Sequence, residues 1–338
     1  MRKPRIPARL SRPTKNVLAF DTVESINWRA LAPIGVFFLL CVVIAIFSPN
    51  FLSVSNAIRI LNASAIPVVL VMGATFVILM GSIDLSVEGI VALCAVVTAS
   101  LVLNDTFASD LGLWAIPFAV LAGGIIGGIN GSTHVYLKVP SFMVTLGIGF
   151  VCLGIATAAL GGFPVRISDR GFRALTLGRT LGLPNGIWVA AAAVAVAMIV
   201  QERTRLGRYV YAIGTDETTA RQSGVPIERT RVLVFVLAGL FSGLAGAMAA
   251  AQLGQGHALI ASGRLFTTIT AVVVGGTALS GGVGSVLNSV VGVLIVIVLT
   301  NGMVLMGVPP FVQQGVQGFL IIVAVTLALD RRQLLVVK

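Results

Sequence analysis

The sequence predicts an all-α integral membrane protein of about ten transmembrane helices, with both ends in the cytoplasm. Three observations predict it: the composition, the spacing of charges, and the way basic residues divide between alternate loops. Of 338 residues, 57% are hydrophobic and only 10% charged, with a mean hydropathy of +1.02, whereas an ordinary soluble domain is about 25% charged. A chain this apolar cannot cover a water-facing surface. Its counting unit is the span, roughly 20 apolar residues across the hydrocarbon core.

Charges are costly at the bilayer centre, so intervals free of Asp, Glu, Lys and Arg delimit the spans. They run 30–58, 60–83, 89–104, 111–137, 139–165, 180–201, 232–263 and 265–329. The first seven hold about one span each and the last has room for about three. Its expected breaks are the stretch Gly275–Gly284 and the turn Gly307-Val308-Pro309-Pro310, because Gly and Pro punctuate helices. The apolar run Leu31–Phe47 follows Asp21 and Glu24 and lacks a small-x-small cleavage site, so it reads as a retained first helix and not as a secretory signal.

Orientation follows from the excess of Lys and Arg on cytoplasmic loops. With the N-terminus inside, 17 of the 23 basic residues fall inside; Arg59, Arg166, Arg170, Arg173, Arg179 and Arg264 fall outside. The segment 163–185 then becomes an external loop with four arginines against one acid, Asp169. The expected organisation is a basic cytoplasmic segment (1–29), a transmembrane domain (30–330) with a cytoplasmic loop at 202–231, and a cytoplasmic tail (331–338). The net charge of +11 is spread over the N-terminus and short loops, a membrane-topology pattern that gives no reason to expect nucleic acid. Cys41, Cys94 and Cys152 lie in apolar stretches without metal-site or pairing spacing and read as core residues.

An internal repeat accompanies this count. Val139-Pro140-Ser141-Phe142 returns as Val308-Pro309-Pro310-Phe311, Gly149-Phe150 as Gly318-Phe319, and Thr157, Ala159 and Leu160 as Thr326, Ala328 and Leu329. The blocks open spans five and ten, so the ten spans read as five plus five, inverted across the membrane as in many transporters. Chance similarity between Leu/Val/Gly-rich helices is the alternative.

Between spans six and seven lies the longest hydrophilic loop, Glu202–Arg231. Within it one short helix is expected. Thr215 is placed to cap it, Asp216 and Glu217 sit at its positive end, Arg221 lies toward its negative end, Gly224 suits the C′ position, and Pro226 blocks continuation. A helix of about nine residues is marginal in water. It is either a capped turn resting on neighbouring loops or a docking element held by a cytoplasmic protein.

In the spans, Asp84 and Glu88 stand four residues apart and would share a face if helical. They lie beside Gly81, Ser82 and Ser86, where a broken helix could line a cavity. Either Asp84, Ser86 and Glu88 contribute to a translocation path or its gate, or the acids sit at the membrane surface and Asp84 caps span three. Asn130, Thr145, Thr277, Ser280 and Asn301 lie near expected helix breaks and are either path residues or helix–helix hydrogen bonds. His134 and His257 lie near opposite interfaces and share no relay. Gly239, Gly243 and Gly246 read as close-packing positions. The chain carries no G-x-x-x-x-G-K-[ST] phosphate loop, and no nucleophile–base pair or metal cluster marks an enzyme.

Five ordered segments resemble one family: 206–226 (LGRYVYAIGTDETTARQSGVP), 73–91 (GATFVILMGSIDLSVEGIV), 130–147 (NGSTHVYLKVPSFMVTLG), 275–288 (GGTALSGGVGSVLN) and 301–318. They are similar to the membrane permease of bacterial ABC importers for monosaccharides, of the ribose, galactose and xylose type, over about residues 30–330. These permeases are related to branched-chain amino acid permeases. The resemblance implies a non-enzymatic transporter subunit in the bacterial inner membrane that moves a pentose or hexose by alternating access. It further implies a separate ATPase that consumes the ATP, an external substrate-binding protein, and a second permease copy or paralogue; no cofactor is expected in this chain. Gly214, Thr215, Asp216, Glu217, Ala220, Arg221 and Gly224 then correspond to the helix that engages the ATPase. Glu88 stands where these permeases usually carry Gly, and Val283 replaces a commonly basic residue. A permease for branched-chain amino acids or nucleosides, or an ion-coupled carrier, are the alternative readings.

Overall fold

A computed structural model describes residues 28–328 of the chain. Nearly all of the expected segment 1–29, and the tail 331–338, lie outside the described residues. The described chain is predominantly helical: α1 Trp28–Phe47, α2 Val54–Leu79, α3 Val87–Leu101, α4 Ala115–Tyr136, α5 Ser141–Ala159, α6 Arg170–Leu177, α7 Asn185–Arg203, α8 Arg205–Thr215, α9 Glu217–Gln222, α10 Ile227–Leu253, α11 Arg264–Val274, α12 Val286–Leu305 and α13 Pro310–Ala328. Four two-residue strands form two antiparallel pairs: β1 (Val165–Arg166) with β4 (Gln255–Gly256), and β2 (Arg179–Thr180) with β3 (Leu183–Pro184).

Six helices among the described residues are long and apolar enough to cross a bilayer: α2, α4 with the turn before it, α5, α7, α10 and α12. The breaks expected at Gly275–Gly284 and Gly307–Pro310 fall between α11 and α12 and between α12 and α13. The interval 265–329 is thus three helices. Helices α3 and α11 have 15 and 11 residues, roughly 22 and 16 Å at 1.5 Å per residue, short of the roughly 30 Å hydrocarbon core.

Both short helices begin part-way along the bundle and not at its ends. Along the extended segment 80–86, Ile83 N–H donates to Ser141 Oγ (3.2 Å) and Leu85 N–H to Thr145 Oγ1 (2.9 Å), and Gly149 packs on Ser86. The segment therefore turns back along α5 for about two turns, roughly 12 Å, before α3 starts. On the other side, Gly256 packs on Ala95 and Ala99 near the end of α3, while Leu265 N–H reaches Glu88 at its start. Residues 257–263 thus run back alongside α3 before α11 begins.

The core lies along α2 and α10, where Phe76, Val77, Leu79, Phe235, Met248 and Ala249 are fully buried. Helices α4 and α10 approach backbone to backbone. A Cβ on Gly123 would collide with the carbonyl oxygen of Gly239, and one on Gly239 with that of Gly123, so the close-packing role expected of Gly239 is seen directly. Outer positions such as Leu121, Ile125, Phe150, Ile155 and Ile199 are exposed, a surface that suits acyl chains and not water.

Loops gather at two ends. At one, Gly282 N–H donates to Leu79 O (2.8 Å), Tyr211 OH to Gly284 O (2.7 Å) and Val286 N–H to Gln201 Oε1 (2.8 Å), joining the end of α2, 201–211 and 275–286, while the bond from Ile83 to Ser141 brings the start of α5, and so 137–140, beside 80–86. At the other, Ile167 N–H donates to Gly254 O and Ser168 N–H to Leu103 O, both 2.9 Å, joining 102–111, 160–184 and 254–263. Continuous α7 and α10 connect the two ends, so the arginine-rich segment 163–185 and the hydrophilic loop 204–226 lie at opposite poles.

Candidate functional site

The hydrophilic loop is a helix, a kink and a second helix. Thr204 caps α8 by accepting from Gly207 N–H (3.3 Å), and α8 buries Val210 and Ile213. It runs to Thr215, whose hydroxyl donates to Tyr211 O (2.8 Å). Thr215 is therefore the end of α8 and does not cap the next helix. That cap is Asp216, whose Oδ1 accepts from Thr218 N–H (2.9 Å) and Thr219 N–H (3.2 Å) while Oδ2 accepts from Thr219 Oγ1 (2.6 Å). The correction has a physical cause: α8 claims Thr215 through its buried face, and a carboxylate binds free N–H groups at the positive end of a helix better than a hydroxyl does. The Thr219 hydroxyl, then the Thr219 and Thr218 backbone, hold the Asp216 carboxyl below its ordinary value.

The second helix, α9, has six residues, shorter than the nine expected. Gly224 N–H bonds to Arg221 O and Val225 N–H to Ala220 O, both 3.1 Å, and Gly224 has φ +78°. This is the left-handed closure that Gly224 was expected to provide. Ala220 is buried beneath the helix. Glu217 accepts from Arg221 (3.3 Å) and Arg231 (2.6 Å), and Arg221 also donates to Glu228 (2.7 Å). Hydrogen bonding to Arg221 holds the Glu228 carboxyl below its ordinary value. Glu228 and Arg231, on the first turns of α10, were not singled out in sequence because their partners lie 7 and 14 residues away.

Gly214 joins this loop to the bundle at a place where any side chain would collide with Leu79 O and Gly282 N. Gly282 in turn abuts Thr215, and Gly281 abuts Gly81 and Gly214. The glycine-rich segment 275–285, the α2 end and the α8–α9 kink therefore share backbone contacts that larger residues would block. Ser280 lies in this layer, its carbonyl beside Gly81.

A second polar group sits where 80–86 turns back. Asp84, 7% exposed, accepts from Ser86 N–H (2.8 Å) and Ser86 Oγ (2.5 Å), and Asn130 Nδ2 donates to Ser86 Oγ (2.8 Å). Thr145 accepts from Leu85 N–H and is fully buried. Four expected residues, Asp84, Ser86, Asn130 and Thr145, are thus one assembly around a non-helical segment. Asp84 precedes α3 in extended chain, so it shares no helical face with Glu88. Nor does it cap α3 in the usual sense, since it binds the N–H of the cap residue Ser86 itself.

Glu88, half-buried in the first turn of α3, accepts from Leu265 N–H in the first turn of α11 (3.0 Å). Thr277 is fully buried, its hydroxyl unpartnered among the described residues and packed against Gly284. Asn301 stands apart near the other end of α12, in a reciprocal amide pair with Asn56 (3.0 Å each way). Ser141 and Gln201, missed in sequence, each fix a loop N–H across a long separation that no local pattern signals.

The geometry places hydrogen-bonded polar groups and broken helices inside an apolar bundle, with a short capped helix at one pole. Residues 56–325 match the family of branched-chain amino acid transport system permease components. The chain is similar to the ribose import permease protein of Escherichia coli K12, 33% identical over 291 residues, 85% of this chain and 89% of the relative. It is similar also to the L-arabinose transport system permease protein of the same organism, 34% over 298 residues, 88% and 90% of the two chains. The ribose import permease protein of Bacillus subtilis is 34% identical over 305 residues, 90% and 93%. No solved structure matches the chain. A family match across most of the chain, with relatives aligned nearly end to end, shows that the chain belongs to the permease components of this transport family.

Proposed function

We propose that this chain is the membrane permease subunit of a binding-protein-dependent ABC importer that moves a monosaccharide into the cytoplasm. The observation that carries the reading is α9: a six-residue helix, capped at both ends and exposed, at the pole where 80–86 and 275–285 meet. The chain itself holds α9 in place, through the Asp216 cap, buried Ala220 and its ion pairs to α10, so α9 offers a pre-formed surface, and a separate ATPase is the partner a permease without a phosphate loop requires. In this reading about ten helices cross the inner membrane, both termini are cytoplasmic, and 214–224 receives the ATPase. The opposite pole, with Arg166, Arg170 and Arg179 exposed, meets the external binding protein. Two permease copies, or one with a paralogue, enclose the path. Asp84, Ser86, Asn130 and Thr145 hold the inner gate in shape, with Thr277 and Ser280 on its facing glycine-rich side and Glu88 between α3 and α11. Asn301 is a helix–helix contact.

The sugar class rests on the ribose and arabinose permeases to which the chain aligns. Proteoliposomes containing this chain, its ATPase and its binding protein are expected to accumulate labelled ribose or arabinose only with internal ATP. Uptake that persists without ATP and collapses with a proton or sodium gradient would overturn the reading in favour of an ion-coupled carrier.

A further inference from the structure

Glu217, Arg221, Glu228 and Arg231 make the only ion pairs among the described residues, and all of them tie α9 to α10. Both carboxylate oxygens of Glu217 are occupied, by Arg221 and Arg231, and both terminal nitrogens of Arg221 are occupied, by Glu217 and Glu228. The Arg231 side chain is only 23% exposed. These charges therefore face one another across the α9–α10 turn. Glu217, Arg221 and Glu228 stay 40%, 55% and 49% exposed, but their geometry is set by one another and by half-buried Arg231. The side chains of Thr218 and Gln222 are exposed and hydrogen-bonded to nothing among the described residues. Behind the turn, α10 runs 27 residues to Leu253, and Gly254, just beyond it, accepts from Ile167 at the opposite pole.

We propose that Glu217, Arg221, Glu228 and Arg231 are positioning residues that clamp α9 rigidly onto α10, and that the ATPase contacts the uncharged Thr218–Gln222 side. This rests on the reading that α9 receives the ATPase. The clamp makes α9 and α10 one lever, so a displacement imposed at α9 moves α10 and the segment 254–263. Without it, the six-residue helix swivels at Gly224 and the displacement is lost in the turn.

The test uses the full importer in proteoliposomes, in a background where Cys41, Cys94 and Cys152 are replaced by Ser. Glu217→Cys with Arg231→Cys, which removes two of the three ion pairs, is expected to lower sugar moved per ATP hydrolysed by about fivefold, what a loss of about 1 kcal/mol shared between them accounts for. A short bis-maleimide bridge between the two cysteines is expected to restore the ratio, and Glu217→Gln alone to reproduce the loss. In separate variants, the ATPase should shield Thr218→Cys and Gln222→Cys from a thiol reagent. The clamp is overturned if the bridge forms without restoring the ratio, or if the ATPase shields Glu217→Cys and leaves Gln222→Cys open. If the ATPase shields no position in the loop, the docking reading itself falls and the clamp falls with it.

Discussion

Glu88 offers the sharpest test of how the two broken helices are joined. Its carboxylate accepts from Leu265 N–H across 177 residues of chain, and each group lies in the first turn of its own helix. A hydrogen bond to a charged acceptor contributes about 1.5–3 kcal/mol, against about 0.5–1.5 for a neutral one. Glu88→Gln keeps an acceptor and should cost about 1 kcal/mol; Glu88→Ala removes it and leaves a half-buried N–H unpaired, for about 2 kcal/mol or more. Amide hydrogen exchange of the α11 start, by mass spectrometry of the protein in detergent or nanodiscs, reads the effect locally. One kcal/mol is about a fivefold change in an opening equilibrium, so exchange at 264–268 should quicken about fivefold for Gln and about thirtyfold for Ala. Peptides from α12 should change little. Equal exchange in all three proteins would refute the idea that Glu88 holds α11.

Gly239→Ala should destabilise the protein by about 1–3 kcal/mol because its methyl meets the Gly123 carbonyl oxygen. Gly147→Ala, which enters open space, should stay within about 0.5 kcal/mol, as read by thermal unfolding in detergent. Asn301→Ala removes the reciprocal side-chain partner of the buried Asn56 amide, leaving Nδ2 its bond to Phe51 O (3.0 Å) and Oδ1 unpaired. A double-mutant cycle with Asn56→Ala should give a coupling of about 1 kcal/mol, and additive losses would contradict the pair. The Asp216 cap should depend on pH in a defined direction. Its carboxyl is held below the ordinary 3.8, so the cap's contribution is complete above 3.8 and is lost as pH falls through the lower folded value. Protection of the Thr218 and Thr219 amides, corrected for intrinsic exchange, should drop over that range, and Asp216→Asn should abolish the dependence.

The parts of this fold that depend on local chemistry are written in the sequence. Intervals between charges delimit the apolar helices because lipid excludes charge, and the Gly275–Gly284 and Gly307–Pro310 breaks follow from backbone punctuation. The closure of α9 at Gly224 is legible for the same reason. The choice of Asp216 over Thr215 as cap was not, because α8 takes Thr215 through burial of Val210 and Ile213, and its Arg205 and Arg208 disguise it as loop. A hydrophobic run cannot reveal that the chain doubles back at 80–86 and 257–263, since both directions bury the same residues. Grouping Asp84 and Ser86 with Asn130 and Thr145, and separating Asn301 from them, depends on pairings 44 to 245 residues apart. Without coordinates these polar residues are interchangeable.

The sidedness of the two poles bears most directly on the claim that α9 meets a cytoplasmic ATPase while the arginine-rich pole faces the binding protein. In the cysteine-free background, Arg179→Cys and Gln222→Cys can each be challenged with a membrane-impermeant thiol reagent in right-side-out and inverted vesicles. We expect Arg179→Cys to react only in right-side-out vesicles and Gln222→Cys only in inverted ones. Reaction of both from one side, or the reverse assignment, would contradict the proposed orientation and the coupling mechanism built on it.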